Sequence, residues 1–229
     1  CAQWIKINEN RLKKSTLAKY QSMLEKHIKP QLGVYNLEEL NSDAIAEFSN
    51  DLLYQQHLSA KTVRDILTFV HKILVYIQAD ITDRLPFITI SYPKIERKEL
   101  KVLSPEEQQI LVQYLLRDFD IYKFSVLLAL LTGLRIGEIC ALQWKDVSIG
   151  SGLVTVRQTV QRMKTLDDFS VKRTALQLGT PKTLSSFRTI PITNGLSELF
   201  QGFLIEDGEA FVTTGTRQPM DPRKLQRKL

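Results

Sequence analysis

An arginine set among apolar residues needs a partner for its charge. Residues 131–142 run Leu131-Thr132-Gly133-Leu134-Arg135-Ile136-Gly137-Glu138-Ile139-Cys140-Ala141-Leu142, and Trp144-Lys145-Asp146-Val147 follow. The neighbours Leu134 and Ile136 place Arg135 in a mostly buried segment, where an unmatched guanidinium is costly. Gly133 lets the chain turn sharply just before it, so that Arg135 opens a helix. Two anions can answer the charge. One is Glu138, a helical turn on, in a purely structural ion pair. The other is a phosphate, whose oxygens accept two parallel bonds from one guanidinium, with Glu138 then orienting the arginine. Spacing alone leaves both open.

A second group of residues bears chemistry nearer the end of the chain. Gly179-Thr180-Pro181-Lys182-Thr183 precedes Ser185-Ser186-Phe187-Arg188-Thr189-Ile190-Pro191-Ile192. A lysine at a flexible hairpin tip can reach into a cleft and donate a proton; a solvated turn lysine is the plainer alternative. Lys172, Arg173 and Arg188 are weaker candidates for phosphate contact, each with a plain surface charge as the alternative. In the first half Lys13, Lys14 and Lys19 flank one helix, and Lys61 and Arg64 lie a turn apart on another. These too are candidates for phosphate contact, of the kind that positions a protein without reading sequence, or else solvated charges. His27, His57 and His71 form no metal pattern; His71, inside an apolar helix, reads as core packing. Cys1 and Cys140 are the two cysteines, which excludes a disulfide framework and a cysteine metal site. No glycine-rich phosphate loop and no Ser-His-Asp set is present. Neither a metal nor a cofactor is expected.

The first segment resembles the T-G-x-R-x-x-E-x-x-x-L-x-W-x-D box of the tyrosine recombinase (phage integrase) family. Every fixed position is present, from Thr132 to Asp146. The second segment resembles that family's lysine-bearing hairpin and the R-x-I-P strand after it. The resemblance implies a site-specific recombinase that cleaves and rejoins double-stranded DNA through a covalent 3′-phosphotyrosyl intermediate, integrating or excising a mobile element. It implies catalytic roles for Arg135 and Lys182, support from Glu138, a helical domain forming half of a clamp on DNA, and a tetramer on DNA when full length. One departure matters. The family's H-x-x-R box, a further His or Trp and the tyrosine nucleophile are not found; the last tyrosine, Tyr122, precedes Arg135. The expectation is therefore a chain cut before its nucleophile, inactive as a fragment, starting at Cys1 and stopping within a helix at Arg227-Lys228-Leu229. The alternative is a non-catalytic DNA-binding relative that occupies recombination sites. The polar insert from Gln161 to Thr180 leans toward integrases of phages and conjugative transposons.

The elements that must hold these groups can be read from caps and periodicity. Ser15, Ser42 and Ser59 each stand at the head of an apolar stripe of helical spacing, and Pro30 with Gly33 breaks the first helix. The third stripe runs Val63, Ile66, Leu67, Val70, Ile73, Leu74 and Ile77. A helical domain is expected over residues 1–85, which the resemblance makes a SAM-like core-binding domain. Residues 86–103, with Pro86, Pro93 and a run of charges, read as an extended interdomain linker. Ser104-Pro105-Glu106-Glu107 then opens a helix with a cap, a first-turn proline and acids at its positive end. A catalytic α+β domain, incomplete, is expected over 104–229. Its helices run to about Leu116, over Ile121 to Leu131 and from near Arg135. Strands fall at Val154-Thr155-Val156 and Arg188 to Ile192, with a long hairpin between. Thr193 or Asn194 caps a helix ending near Ile205, and Pro222 starts a last basic one. The fold class is mainly α with a small β-sheet.

Charge agrees without deciding. The chain holds 31 basic and 25 acidic residues, 15 against 12 up to Lys101 and 16 against 13 beyond it. Such an excess fits a polyanionic partner; it also fits a mildly basic soluble protein. No apolar run approaches the roughly 18 residues a membrane span needs, and Cys1-Ala2-Gln3-Trp4 does not open a signal peptide. The expected location is the cytoplasm of a bacterial host.

Overall fold

The computed structural model describes residues 1–81, 86–96, 99–165, 174–180 and 187–228. Two compact units divide the chain, Cys1–Leu100 and Lys101–Leu229. As expected, helices predominate and the sheets are small and antiparallel. No helix among the described residues is long and apolar enough to cross a membrane.

The first unit is helical: α1 (Ala2–Asn8), α2 (Lys14–Met23), α3 (Lys29–Leu32), α4 (Ser42–Asn50) and α5 (Ala60–Asp80). Helix α5 is its axis. Val63, Ile66, Leu67, Val70, Ile73, Leu74 and Ile77 recur at helical spacing, and all are buried, together with Phe69. Burying one such side chain contributes about 1.5–3 kcal/mol, so this stripe holds the unit together. Tyr20 stacks on Phe69 with centroids 4.2 Å apart, and Trp4 meets Phe69 edge-on at 5.5 Å. Ser59 caps α5 by accepting from the Thr62 N–H at 3.2 Å.

Four expectations here are corrected. Lys13, not Ser15, is the residue before α2, and Ser15 lies inside the helix. Asn41, not Ser42, caps α4, accepting from the Ala44 N–H at 2.9 Å. Pro30 does not break the first helix. A wide π turn over Leu24–Ile28 follows α2, and Pro30 falls in the first turn of the fresh segment α3, where its missing N–H leaves no bond unmade. The chain leaves the helix at Gly33 instead. His71 is exposed rather than in the core, because the buried stripe of α5 runs along the face opposite to it.

Part of the segment after α5 lies on this unit. Ile88 and Ile90 pack against the helical core, the Thr89 N–H donates to Ser42 Oγ at 2.9 Å, and the Arg64 guanidinium sits 5.3 Å from the Tyr92 ring centroid.

The second unit comprises α6 (Pro105–Leu116), α7 (Ile121–Thr132), α8 (Ile136–Ile139), β1 (Val147–Ser148), β2 (Leu153–Val156), β3 (Thr159–Lys164), β4 (Thr174–Gly179), β5 (Arg188–Pro191), α9 (Asn194–Gln201) and α10 (Pro222–Gln226). The start signal at Ser104 forms a full capping box with Glu107. Strands β1, β2 and β5 make one antiparallel sheet in the order β1-β2-β5, while β3 and β4 form a separate hairpin. Val154 faces Ile190 across the three-stranded sheet, and Thr159 faces Gly179 across the hairpin. The core collects Phe124 and Leu128 of α7, Ile139 to Leu142, Trp144, Val154, Val156, Val160, and Leu196 and Phe200 of α9. Thr193 caps α9, which ends at Gln201 and so falls short of the expected end near Ile205.

Candidate active site

Helix α7 ends because Gly133 adopts φ +67°, a conformation that costs a side-chain-bearing residue energy and glycine almost none. Its N–H closes the last turn onto the Ala129 carbonyl at 2.9 Å. Two residues later Arg135, in extended conformation, precedes the first turn of α8. The sharp turn expected from Gly133 is thus present. It leaves Arg135 at the mouth of a short helix, with its side chain 72% exposed.

Glu138 is the opposite case, with a side chain only 4% exposed. Its carboxylate accepts four hydrogen bonds: from the Arg135 backbone N–H at 2.9 Å, from Arg135 Nη1 at 3.0 Å, and from Arg188 Nη1 and Nη2 at 3.1 and 2.8 Å. Burial alone pushes a carboxyl up, and that is the largest influence on Glu138. The bonds from Arg188, from the Arg135 backbone and from the Arg135 side chain together outweigh it and hold the carboxyl below its ordinary value. Arg188 is stabilised as a cation in return, by the hydrogen bond to Glu138. Among the described residues nothing engages Nε or Nη2 of Arg135. Those N–H groups can therefore meet two oxygens of a phosphate in the bidentate manner.

The rest of the box holds this pair in place. Leu142, Trp144 and Asp146 are buried. Asp146 accepts from Arg157 Nε at 2.7 Å; burial nevertheless pushes its carboxyl up. Gln143 donates to the Glu209 carbonyl at 2.7 Å, and the Trp144 N–H donates to that of Ala210 at 3.0 Å, fastening the box to the segment after α9. Among the box positions, Arg135 alone presents an exposed side chain. Cys140 offers no nucleophile: burial, helped by Asp221, pushes its thiol up to about 12.

Sequence reasoning missed three supports. Gly137 lets α8 lie directly on β3, since a Cβ there would sit 2.6 Å from Thr159 Oγ1 and 2.7 Å from the Val160 carbonyl. A glycine inside a helical pattern was the available signal. Arg162 bridges the hairpin to α10, donating from Nε to Asp221 at 2.7 Å and from Nη1 to Thr174 Oγ1 at 3.1 Å. Asp221 also caps α10 through the Arg223 N–H at 3.0 Å. A basic cavity of about 350 Å³ opens here, lined by Arg162, Thr174, Asp221 and the cations of α10 with Lys228. The third support is the pairing of Arg188 with Glu138, which replaces the reading of Arg188 as a plain surface charge.

The remaining candidates divide. Lys182, Lys172 and Arg173 lie outside the described residues. Strands β3 and β4 pair from Thr159↔Gly179 to Lys164↔Thr174, and the hairpin place expected for Lys182 falls outside the described residues as well. In the helical unit Lys13, Lys14, Lys19, Lys61 and Arg64 are all exposed. Lys19 pairs with Asp65 at 2.7 Å.

Comparison with known proteins agrees with this arrangement. Residues 101–227 match the model described as "Phage integrase family". The chain belongs to the phage integrase family, the tyrosine recombinases. Residues 1–53 also match the phage integrase N-terminal SAM-like domain. The ICEBs1 integrase of Bacillus subtilis (strain 168) is 28% identical over 207 residues, covering 90% of this chain and 54% of that protein. The integrase of Staphylococcus phage L54a is 30% identical over 135 residues, covering 54% of this chain and 36% of its own. The chain spans about half the length of the curated relatives it matches, or less. Among solved structures, the Tn1549 transposon integrase in complex with circular intermediate DNA superposes with a TM-score of 0.73 at 20% identity, over 96% of this chain and 71% of that one. A lambda integrase dimer bound to a core site gives 0.64 at 18% identity, over 99% and 73%. At these identities the structural likeness concerns the fold.

Proposed function

We propose that the protein carrying this chain is a site-specific recombinase that breaks and rejoins double-stranded DNA, with Arg135 gripping the phosphate to be cut. One observation carries the reading: an exposed guanidinium mounted on a buried, ionised carboxylate, in a box whose Leu142, Trp144 and Asp146 are buried. Relatives named integrases, and solved integrases bound to DNA, support DNA as the partner. A lambda integrase tetramer on a Holliday junction supports assembly as a tetramer on DNA.

The chemistry follows from charge. A tyrosine hydroxyl attacks the scissile phosphorus and gives up its proton to solvent as the new P–O bond forms. The bond to the 5′-oxygen breaks, and a 3′-phosphotyrosyl ester holds the strand. Negative charge grows on the non-bridging oxygens as the fifth bond forms. Arg135 donates to those oxygens more strongly then than in the ground state, which is what lowers the barrier. Lys182 gives its proton to the departing 5′-oxygen. Attack by a free 5′-hydroxyl on the phosphotyrosine reverses these steps and joins the exchanged strand. The phosphodiester energy is kept in the tyrosyl ester, so no cofactor has to supply it.

Removing one such donor typically costs about 3–4 kcal/mol in the barrier. In the protein that includes the nucleophile, Arg135→Ala is expected to abolish covalent trapping on a nicked suicide substrate while duplex binding persists. Normal trapping by this variant would overturn the assignment. A relative that merely occupies recombination sites would bind alike and form no covalent product even with Arg135 in place. These 229 residues alone are expected to bind duplex and to trap nothing.

A further inference from the structure

Glu138 is reached from two directions. Arg135 comes from the head of its own helix, and Arg188 comes from β5, 50 residues further along the chain. Arg188 supplies two of the four bonds to the carboxylate, one to each oxygen. Two parallel donors on two oxygens fix the plane of a carboxylate as well as its place. Arg135 supplies a single side-chain bond to that carboxylate, and its guanidinium is otherwise open to solvent. The two arginines are therefore unequal. Arg188, with a side chain 28% exposed, fixes the mount, and Arg135 hangs from it.

Strand β5 has a second bearing on the site. It pairs along its length with β2, from Leu153↔Pro191 to Val156↔Arg188. In the chain it directly follows the segment that carries Lys182, six residues before Arg188. The Arg188–Glu138 contact thus ties strand β5 to the short helix that Arg135 precedes.

We propose that Arg188 is a positioning residue for strand cleavage. Acting through Glu138, it sets the Arg135 guanidinium. The inference rests on the strand-cleaving reading above. It assigns Arg188 no scissile-phosphate contact of its own. Misplacing a catalytic group by an ångström can cost on the order of 10²-fold in rate, so a residue separated from the phosphate by two others can still govern cleavage.

The test compares Arg188→Met, Arg188→Lys, Glu138→Gln and the Arg188→Met/Glu138→Gln pair in the protein that includes the nucleophile. Single-turnover cleavage of a nicked suicide duplex is measured at saturating DNA, alongside Kd across a salt series and the melting temperature. Arg188→Met is expected to slow cleavage on the order of 10²-fold, with Kd and its salt slope unchanged. Arg188→Lys should recover part of the rate, since one ammonium meets the carboxylate without reproducing the fork. The pair should be no slower than the slower single variant, because both act through one mount. A loss confined to Kd, with a salt slope reduced by about one, would mean a direct phosphate contact and overturn the proposal. So would a lower melting temperature with full cleavage by the folded protein. Should Arg188→Met not fold, Arg188→Lys carries the same readings. Arg135→Ala separates the two layers: normal trapping by that variant removes the cleavage reading itself, whereas abolished trapping with normal cleavage by Arg188→Met removes only the role of Arg188.

Discussion

Two carboxylates of the same box, eight residues apart, are equally buried and yet pushed in opposite directions. Glu138 is 5% exposed and is held below its ordinary value; Asp146 is 6% exposed and is pushed above it. Each is paired with arginine, so neither burial nor the presence of a cation explains the contrast. The number of donors does. Glu138 accepts four hydrogen bonds from two arginines and a backbone N–H, while Asp146 accepts one from an arginine side chain that is 63% exposed. Burial of a carboxylate is opposed only as far as donors replace the lost water. The lesson is functional as well as electrostatic: the well-satisfied carboxylate is the one that carries the outward-facing arginine.

The sharpest way to break this contrast is to remove one acceptor oxygen from each. Glu138→Gln puts an amide N–H against arginine donors and leaves part of two guanidinium groups unmatched, a loss of about 3–5 kcal/mol by analogy with a broken buried pair. Asp146→Asn loses one charge-assisted bond and relieves an unfavourable burial, so about 1 kcal/mol is expected. Denaturant unfolding of the second unit, followed through Trp144 in a Trp4→Phe background, measures both. Equal losses would show that donor number is not what distinguishes the two sites. Gly137→Ala comes next in size. Its added methyl meets the Val160 carbonyl, which is backbone and cannot swing aside, and overpacking of this kind costs about 1–3 kcal/mol. A stability unchanged within error would mean that α8 has room to lift off β3.

Much of this frame is legible in the residues because much of it is local. Ser59 and Ser104 signal their helices because a capping side chain bonds to an N–H three residues away. The stripe of α5 is legible because period alone sorts its faces. Gly133 is legible because few other residues turn a chain that way. What escapes is what needs distant partners. Nothing near Arg188 in the chain announces Glu138, fifty residues back. The path through Pro30 includes a π turn over Leu24–Ile28 that has no local signal in the sequence. The place of Lys182 comes from resemblance alone, since a lysine in a polar stretch has no local signature. The box thus names the arginine that could do chemistry, and conceals both its exposure and the second arginine that holds its carboxylate.

pH offers a subtler division of the two carboxylates. Glu138 has a folded value below the ordinary 4.5. The stability it contributes is complete above that ordinary value and is lost as pH falls through the folded one. Asp146 has a folded value above the ordinary 3.8. Its contribution is complete below 3.8 and is lost as pH rises through the folded value. The two slopes oppose each other in the acid range. Glu138→Gln should therefore flatten the acid loss of stability of the second unit, and Asp146→Asn should steepen it. Both variants changing the slope in one direction would contradict the assignment.

The smallest effect expected is at Arg157. Its side chain is mostly in water, so its bond to Asp146 resembles a surface pair at one end and a buried one at the other. Exposed pairs contribute about 0–1 kcal/mol, while an uncompensated buried carboxylate is free to protonate rather than unfold the protein. Arg157→Met should thus cost less than about 1 kcal/mol at acid pH, where Asp146 is protonated, and more as the pH rises and the charge has no partner. Arg188→Met removes two of four donors rather than the sole one, and Glu138 keeps its two bonds from Arg135. Its cost should accordingly vary less steeply with pH than that of Arg157→Met, measured as the difference in unfolding free energy between pH values on either side of the carboxylate range. The reverse order would mean that the geometry of the arginine fork, and not the count of donors, decides which of these carboxylates stays charged.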